Sequence, residues 1–178
     1  LLVANPGEIA LRVFRAARAL GLATVAVVAG DDRASLHARS ADETVEIASY
    51  LHSAEHVRAA RETGAVAVHP GYGFLAESAD FAEAVLAAGL TWVGPPPSAL
   101  RAGGDKRAAK RIAREAGVAV VPDGDPSELG YPLLVKASAG GGGRGMRLVR
   151  AQDELAEALE AAGREAQAAF GDDRVYTE

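Results

Sequence analysis

Short apolar segments alternate with longer amphipathic segments through the first half of the chain, and this alternation restricts its fold more than any other feature. The short segments have the length of strands, and the longer ones repeat apolar residues at spacings of three and four, as helices do. The predicted strands are Leu1–Ala4, Thr24–Ala29, Thr44–Ile47, Val66–His69 and Thr91–Gly94, and the predicted helices are Glu8–Leu20, His52–Thr63 and Phe74–Ala88. Such alternation predicts an α/β fold with a parallel sheet covered on both faces.

A second unit is predicted after the run Gly94-Pro95-Pro96-Pro97, because consecutive prolines break the alternation. We therefore place one domain at residues 1–95 and another at residues 96–178. The predicted helices of the second domain are Ser98–Ala102, Asp105–Ala116 and Asp153–Ala169, and its predicted strands are Pro132–Ala137, Met146–Arg150 and Val175–Thr177.

The composition excludes several classes of function. The 178 residues carry a net charge of −5 without a compensating basic cluster, which argues against nucleic-acid binding. Cysteine is absent, so disulfides and cysteine-bound zinc are excluded. No apolar window approaches the roughly 18 residues of a membrane span, and no secretory signal is visible, so we expect a cytoplasmic protein. Both ends lie in strand-like runs, which suggests a piece of a longer protein.

The strongest chemical signal is the glycine-rich segment KASAGGGGRGM, from Lys136 to Met146, between two predicted strands. Four adjacent glycines leave the loop centre without Cβ atoms, so backbone N–H groups can turn toward an anion. Lys136, at the end of a strand, can extend an ammonium group to phosphate oxygens. The alternative is a flexible hairpin tip, but such a tip costs backbone entropy. The segment therefore favours a nucleotide phosphate site, although its lysine precedes the glycines, unlike that of a P-loop.

A second signal is the segment HPGYGFLAE, from His69 to Glu77, which follows a predicted buried strand. The carboxyl edge of a parallel sheet is where ligands bind in such folds. Gly71 and Gly73 permit a sharp turn, and Tyr72 offers a ring and a hydroxyl. A local hydrogen bond is the favoured interpretation of His69, whereas a ligand-contacting and a structural role remain open for Tyr72.

Other polar residues have ordinary structural explanations. Asp105 can cap the helix that follows it, and Lys106 beside it would by default be a solvated lysine. The turn from Asn5 to Glu8 simply opens the first predicted helix. The remaining histidines show no metal-ligand spacing, and we expect them at the surface: His37, His52 and His56.

Taken in order, these segments resemble the biotin carboxylases and the homologous parts of acyl-CoA, pyruvate and urea carboxylases. The likeness runs from ANPGEIA, beginning at Ala4, through HPGYGFL, GDK and KASAGGGGRGM to FGDDRVY, ending at Tyr176. It implies a Rossmann-like pre-ATP-grasp domain followed by part of an ATP-grasp domain with its small lid subdomain. It also implies a ligase that uses ATP, Mg²⁺ and bicarbonate to carboxylate biotin on a carrier protein.

The resemblance implies roles for individual residues in ATP binding. The implied ATP-binding residues are Lys106, Lys136, Gly142, Gly143, Met146 and Glu178. The two lysines would bind phosphates, the two glycines would belong to a mobile loop that closes over them, and Met146 would contribute to the nucleotide pocket. Glu178 would begin the segment against which adenine lies.

Further residues and partners follow from the same resemblance. Tyr72 and Gly73 would face the biotin and bicarbonate side of the site, and Arg15 would form part of a homodimer contact. The implied partners are a biotin carboxyl carrier protein or domain and a carboxyltransferase subunit or domain. Catalytic residues and metal ligands would lie after Glu178, so none is assigned. We therefore expect this chain alone to bind ATP weakly and not to hydrolyse it.

The chain departs from the family pattern at Pro6, where the family has arginine, and in two segments that look short. These segments are Ile47–Leu51 and Val121–Pro132, the second of which normally includes a helix. The departures keep a degenerate nucleotide-binding or scaffold module open as an alternative. Another ATP-grasp ligase, acting on an amino acid or a purine intermediate, is a further alternative, but the combination of HPGYGFL with KASAGGGGRGM disfavours it.

Overall fold

The computed structural model describes residues 1–138 and 145–178 and divides the chain into two compact units, Leu1–Arg101 and Ala102–Glu178. Gly142 and Gly143, which the resemblance places in the loop over the phosphates, lie outside the described residues.

The first unit contains a five-stranded parallel sheet with the strand order β3-β2-β1-β4-β5. Its strands are β1 (Leu2–Val3), β2 (Val25–Ala29), β3 (Glu43–Ile47), β4 (Ala67–His69) and β5 (Thr91–Trp92). Its helices are α1 (Gly7–Ala19), α2 (Leu36–Ser40), α3 (Ser53–Glu62) and α4 (Ala79–Ala87), and α5 (Pro97–Gly104) spans the boundary between the units. The predicted α/β class with a parallel sheet is confirmed.

Apolar clusters cover both faces of the sheet at its central strand β1, whose neighbouring residues point to opposite faces. Leu2 belongs to the larger apolar cluster, which also contains Phe81 of α4, whereas Val3 packs with Phe14 of α1. All four side chains are at most 1% exposed. The continuous apolar sequences of β1 and β2 follow from this burial on both sides, whereas β3, at the edge of the sheet, leaves three of its five residues exposed.

Helix α4 begins later than the sequence predicted. The prediction ran from Phe74, but the helix starts at Ala79. Gly73 and Phe74 have φ angles of 62° and 46°, in the left-handed region, so a right-handed helix cannot pass through them. The Oγ atom of Ser78 accepts a hydrogen bond from Phe81 N at 3.1 Å and caps the true start.

Two histidines expected at the surface are buried, so that expectation was wrong. His37 is 1% exposed, and its ring nitrogens lie 3.1 Å from Val27 O and 2.7 Å from Ser35 Oγ. His56 is fully buried, and its Nε2 lies 3.0 Å from Tyr50 O. Such partners satisfy both ring nitrogens of His37, whereas the buried Nδ1 atom of His56 has no hydrogen-bond partner among the described residues.

The second unit contains a three-stranded antiparallel sheet in the order β7-β6-β8. Its strands are β6 (Leu133–Ala137), β7 (Arg147–Val149) and β8 (Val175–Thr177), and its further helices are α6 (Lys106–Glu115), α7 (Pro126–Leu129) and α8 (Gln152–Phe170). The core joins Val135 and Val149 of the sheet to Ala162 of α8. Helix α7, a single turn capped by Asp125, lies in the segment where no helix was predicted.

The predicted cap of α6 is confirmed, because Asp105 Oδ1 accepts hydrogen bonds from Arg107 N at 2.9 Å and Ala108 N at 3.0 Å. Among the helices of the described residues, none combines the length and the apolar character needed to cross a bilayer.

Burial of His56 predicts a loss of stability in mild acid. Burial lowers the pKa of His56 below its ordinary value of about 6.5, so the unfolded chain binds this proton more readily than the folded chain. The free energy of unfolding therefore has its full value above about pH 6.5. It decreases as the pH falls further, by at most about 1.4 kcal/mol per pH unit for one proton.

Urea unfolding between pH 5 and 7 should show a shallower pH dependence for His56→Gln than for the wild type. Substitution of the exposed His52 by Gln should keep the wild-type slope, and an unchanged slope in His56→Gln would contradict the assignment.

Candidate functional site

The strand order of the first sheet reverses beside β1, because β2 lies on one side of this strand and β4 on the other. Ligands bind in open α/β sheets at such a switch point, beyond the carboxyl ends of the strands. Asn5 follows β1 and the turn at Gly71 follows β4, so both lie at this edge. Asn5 is 3% exposed, and its Nδ2 donates hydrogen bonds to Tyr72 O at 2.7 Å and Pro70 O at 3.3 Å.

Gly71 allows the turn after β4 to approach Asn5. Its φ angle is 69°, and a methyl group at this position would come within 2.5 Å of the Asn5 Cβ and Cγ atoms. A glycine is therefore required both by the backbone conformation and by the close contact. The His69 ring also stabilises the turn, since its Nδ1 accepts a hydrogen bond from Gly71 N at 2.9 Å. This is the local role predicted for His69.

The side chain of Tyr72 is exposed at the same edge, followed by Gly73. Its hydroxyl donates a hydrogen bond to Glu8 Oε1 at 2.6 Å, and this bond to a carboxylate raises the pKa of Tyr72. Pro6, between Asn5 and α1, makes no side-chain cap for that helix. The edge thus presents a phenol, a carboxylate and backbone groups, and Pro6 adds no charge to it.

In the second unit, strand pairing brings a lysine and a glutamate together. Lys136 of β6 lies directly opposite Tyr176 of β8 in the antiparallel register, and Glu178 is two residues further along. Residues at such diagonal positions share one face of a sheet, within reach of long side chains. Lys136 Nζ contacts Glu178 Oε1, as the register requires.

A row of alternating charges extends from this pair to helix α6. Lys110 Nζ contacts Glu178 Oε2 and lies 3.5 Å from Asp123 Oδ1. Asp123 is bound in turn by Arg114. The row therefore reads Arg114, Asp123, Lys110, Glu178 and Lys136, with three positive and two negative groups. It carries one net positive charge.

The Glu178 carboxylate at the centre of this row stays ionised although it is 7% exposed. Burial by itself would raise the pKa of Glu178, but the hydrogen bonds from Lys110 and Lys136 outweigh burial, and the pKa is lowered. Burial and the neighbouring carboxylate raise the pKa of Tyr176 to about 12, so its phenol remains protonated beside Glu178.

Lys106 lies near Lys136 at the start of α6. The backbone N–H of Lys106 donates a hydrogen bond to Ser138 O at 3.2 Å, which ties the helix start to the residue after β6. Burial lowers the pKa of Lys106, and repulsion by the Lys136 charge lowers it further. Two ammonium groups that repel each other are stabilised by an anion between them. This pair is therefore a candidate contact for a phosphate group.

The last residues of the glycine-rich segment adjoin the end of β6. Ala137 N donates a hydrogen bond to Gly145 O at 3.0 Å. Gly145 has a φ of 67°, and a methyl group there would lie 2.9 Å from the Ala137 Cβ. Met146 follows and is 40% exposed. The structure thus brings four of the predicted ATP-binding residues into the second unit around β6, namely Lys106, Lys136, Met146 and Glu178.

Sequence reasoning overlooked Lys110 and Asp123. Lys110 lies four residues after Lys106 and therefore on the same helix face. That spacing was the available signal. Nothing in the sequence pairs Asp123 with this helix, because the contact depends on the path of the segment after α6. Among the described residues, no group of three or more histidines and carboxylates is arranged to hold a metal ion.

Comparison with known protein families gives two matches along the chain. Residues 1–100, more than half of the chain, match the biotin carboxylase N-terminal domain. Residues 105–178 match the ATP-binding domain of the carbamoyl-phosphate synthase L chain. The first match is specific to biotin carboxylases, whereas the second is to an ATP-binding domain named after a different enzyme.

The chain belongs to the biotin carboxylase family. It is 50% identical to the methylcrotonoyl-CoA carboxylase subunit alpha of Oryza sativa subsp. japonica, over 96% of this chain and 26% of that protein. It is 46% identical to the biotin carboxylase of Haemophilus influenzae, over 100% of this chain and 44% of the relative. The proteins it matches are ATP-grasp ligases, as the resemblance predicted.

Solved structures agree with this membership. The biotin carboxylase domain dimer of Hydrogenobacter thermophilus 2-oxoglutarate carboxylase, in complex with MgADP, ADP and bicarbonate, gives a TM-score of 0.95 at 42% identity over 99% of this chain and 43% of that one. Rhizobium etli pyruvate carboxylase gives 0.91 at 44% identity over 99% of this chain and 18% of the other. The predicted fold is confirmed by these neighbours.

The chain spans about a quarter to less than half of the length of the curated relatives named above. Within the aligned region this chain is also shorter than its relative. The alignment with Haemophilus influenzae biotin carboxylase has 197 positions, whereas this chain has 178 residues. This agrees with the observation that segments of the sequence look short.

Substitution of Gly71 by alanine should destabilise the first unit through two separate effects. The positive φ alone costs about 1 kcal/mol, and displacement of Asn5 should add about 1–3 kcal/mol from its lost buried hydrogen bonds. Gly64→Ala provides the matched control, since Gly64 has a φ of 64° but nothing within 4 Å of the added methyl group. Urea unfolding should show the larger loss for Gly71→Ala. Equal losses would mean that the contact with Asn5 does not constrain the turn.

Proposed function

We propose that this chain contributes the nucleotide phosphate contacts of a biotin carboxylase component that uses ATP and bicarbonate to carboxylate biotin on a carrier protein. The observation that carries the proposal is geometric: the backbone N–H of Lys106 is hydrogen-bonded to Ser138 O, two residues after Lys136, and Lys136 contacts Glu178. Family membership supports the reaction, and the lysine pair supports the place of the nucleotide.

The lysine pair has the chemistry that a nucleotide phosphate requires. Both side chains are partly shielded from water, and their mutual repulsion is relieved by a negative group. Lys136 would turn from Glu178 to phosphate oxygens, while Lys106 approaches from the start of α6. ATP would supply the phosphoryl group, and such ammonium groups stabilise the negative charge that develops during its transfer. We assign Met146 and Glu178 to the nucleotide pocket and keep Gly142 and Gly143 as proposed loop contacts.

A separate proposal concerns biotin and bicarbonate, whose contacts we place in the first unit. We propose that Tyr72 and Gly73 face biotin and bicarbonate, supported by their position at the switch point of the sheet. The exposed phenol and the backbone N–H groups of this turn could donate hydrogen bonds to such polar ligands. We propose that Mg²⁺ accompanies ATP and that its ligands lie outside the described residues. The related 2-oxoglutarate carboxylase domain was solved with MgADP and bicarbonate.

The proposed partners follow from the relatives. Acyl-CoA carboxylase alpha subunits and biotin carboxylases are the chains that this one matches. We propose that the protein acts with a biotin carboxyl carrier and a carboxyltransferase, in the cytoplasm. We also propose a homodimer with Arg15 in its contact, supported by the exposure of Arg15 on α1 and by the dimer described for the 2-oxoglutarate carboxylase domain.

Substitution of Lys136 by alanine should weaken binding of MgADP by at least about 10-fold, because a charge-assisted hydrogen bond contributes roughly 1.5–3 kcal/mol. Titration followed by ¹H–¹⁵N NMR suits the weak affinity expected of the wild-type chain. Arg111→Ala is the matched control, since it removes a positive charge from an exposed site on α6. A wild-type chain that does not bind MgADP, or a Lys136→Ala chain that binds it equally well, would refute the proposed site.

A further inference from the structure

Lys110 is the most enclosed cation in the row of charges from Arg114 to Lys136, and it is not among the residues to which the resemblance gives a role. Its side chain is 13% exposed, against 45% for Arg114 and 23% for Lys136. It contacts Glu178 Oε2, lies 3.5 Å from Asp123 Oδ1, and its ammonium is 5.4 Å from the centre of the Tyr176 ring. These contacts hold it against the back of the Glu178 carboxylate, on the oxygen that Lys136 does not use.

The position of Lys110 matters because Lys136 has two competing partners, Glu178 and a phosphate. If Lys136 alone faced Glu178, its departure would leave a buried carboxylate without a counter-charge, which is strongly unfavourable. With Lys110 on the second oxygen, the carboxylate keeps a partner when Lys136 leaves. Asp123 also attracts Lys110, but Arg114 neutralises part of the Asp123 charge. Lys110 can therefore still pair with Glu178.

We propose that Lys110 is a positioning residue of the nucleotide site: it holds Glu178 in place and thereby allows Lys136 to leave that carboxylate for a nucleotide phosphate. The inference rests on the proposed nucleotide site and deepens it. Lys110 acts through Glu178, so its contribution depends on the Glu178 charge. This dependence separates a positioning role from a general attraction of phosphate by one more positive charge.

A double-mutant cycle on MgADP binding tests the proposal, with Lys110→Met, Glu178→Gln and the combined variant measured by ¹H–¹⁵N NMR titration of the chain. Lys110→Met should weaken MgADP binding by about 10-fold in the wild-type background and by less than about 2-fold in the Glu178→Gln background, because residues that act on each other are not additive. Lys110→Arg, which keeps the charge, should recover most of the affinity.

The control variants separate a failure of the positioning role from a failure of the proposed nucleotide site. Arg111→Met removes a charge from the next, exposed residue of α6 and should change the affinity by less than about 2-fold, since exposed charges are screened. If Lys110→Met does not fold, Lys110→Gln takes its place in the cycle. Equal losses in both backgrounds, or an equal loss for Arg111→Met, would overturn the positioning role alone. A wild-type chain that does not bind MgADP would overturn both the proposed function and this inference.

Discussion

The chemistry proposed for this chain depends on one carboxylate, Glu178, that two lysines share. Pairing of β6 with β8 puts Lys136 on the face of the sheet that Glu178 occupies, and α6 delivers Lys110 to the other carboxylate oxygen. A buried charge is tolerated only when such partners compensate it. The row of charges around Glu178 carries one net positive charge, and we propose that this charge, together with Lys106, attracts a phosphate.

The first unit depends on a different constraint, the close approach of the turn after β4 to the residue after β1. Asn5 and Gly71 meet because the strand order reverses beside β1, and the absence of a side chain at Gly71 leaves room for the Asn5 amide. The contact fixes the path of the backbone through Tyr72, whose carbonyl accepts from that amide. A rigid turn at this edge presents Tyr72 from a defined position, which is what a binding residue requires.

Most of the fold follows from patterns of apolar residues in the sequence. Strand β8 was predicted at its observed bounds, because its short apolar run follows a helix and a turn. The start of α4 was missed because the backbone at Phe74 adopts a left-handed conformation that apolar spacing does not reveal. The burial of His37 and His56 was missed for a related reason, since it depends on acceptors supplied by the tertiary fold, such as Val27 O. The site shows the same division: Lys106 and Lys136 belong to recognisable segments, whereas Lys110 gains its role only from contacts that folding creates.

The central claim is that the lysine pair beside Glu178 receives a nucleotide phosphate. A crystal structure of the chain grown with MgADP tests it most directly. We expect a phosphate oxygen to contact the Lys136 ammonium, Lys106 to lie beside the same phosphate, and Glu178 to retain its contact with Lys110. A nucleotide bound elsewhere on the chain, with Lys136 still paired to Glu178, would contradict it.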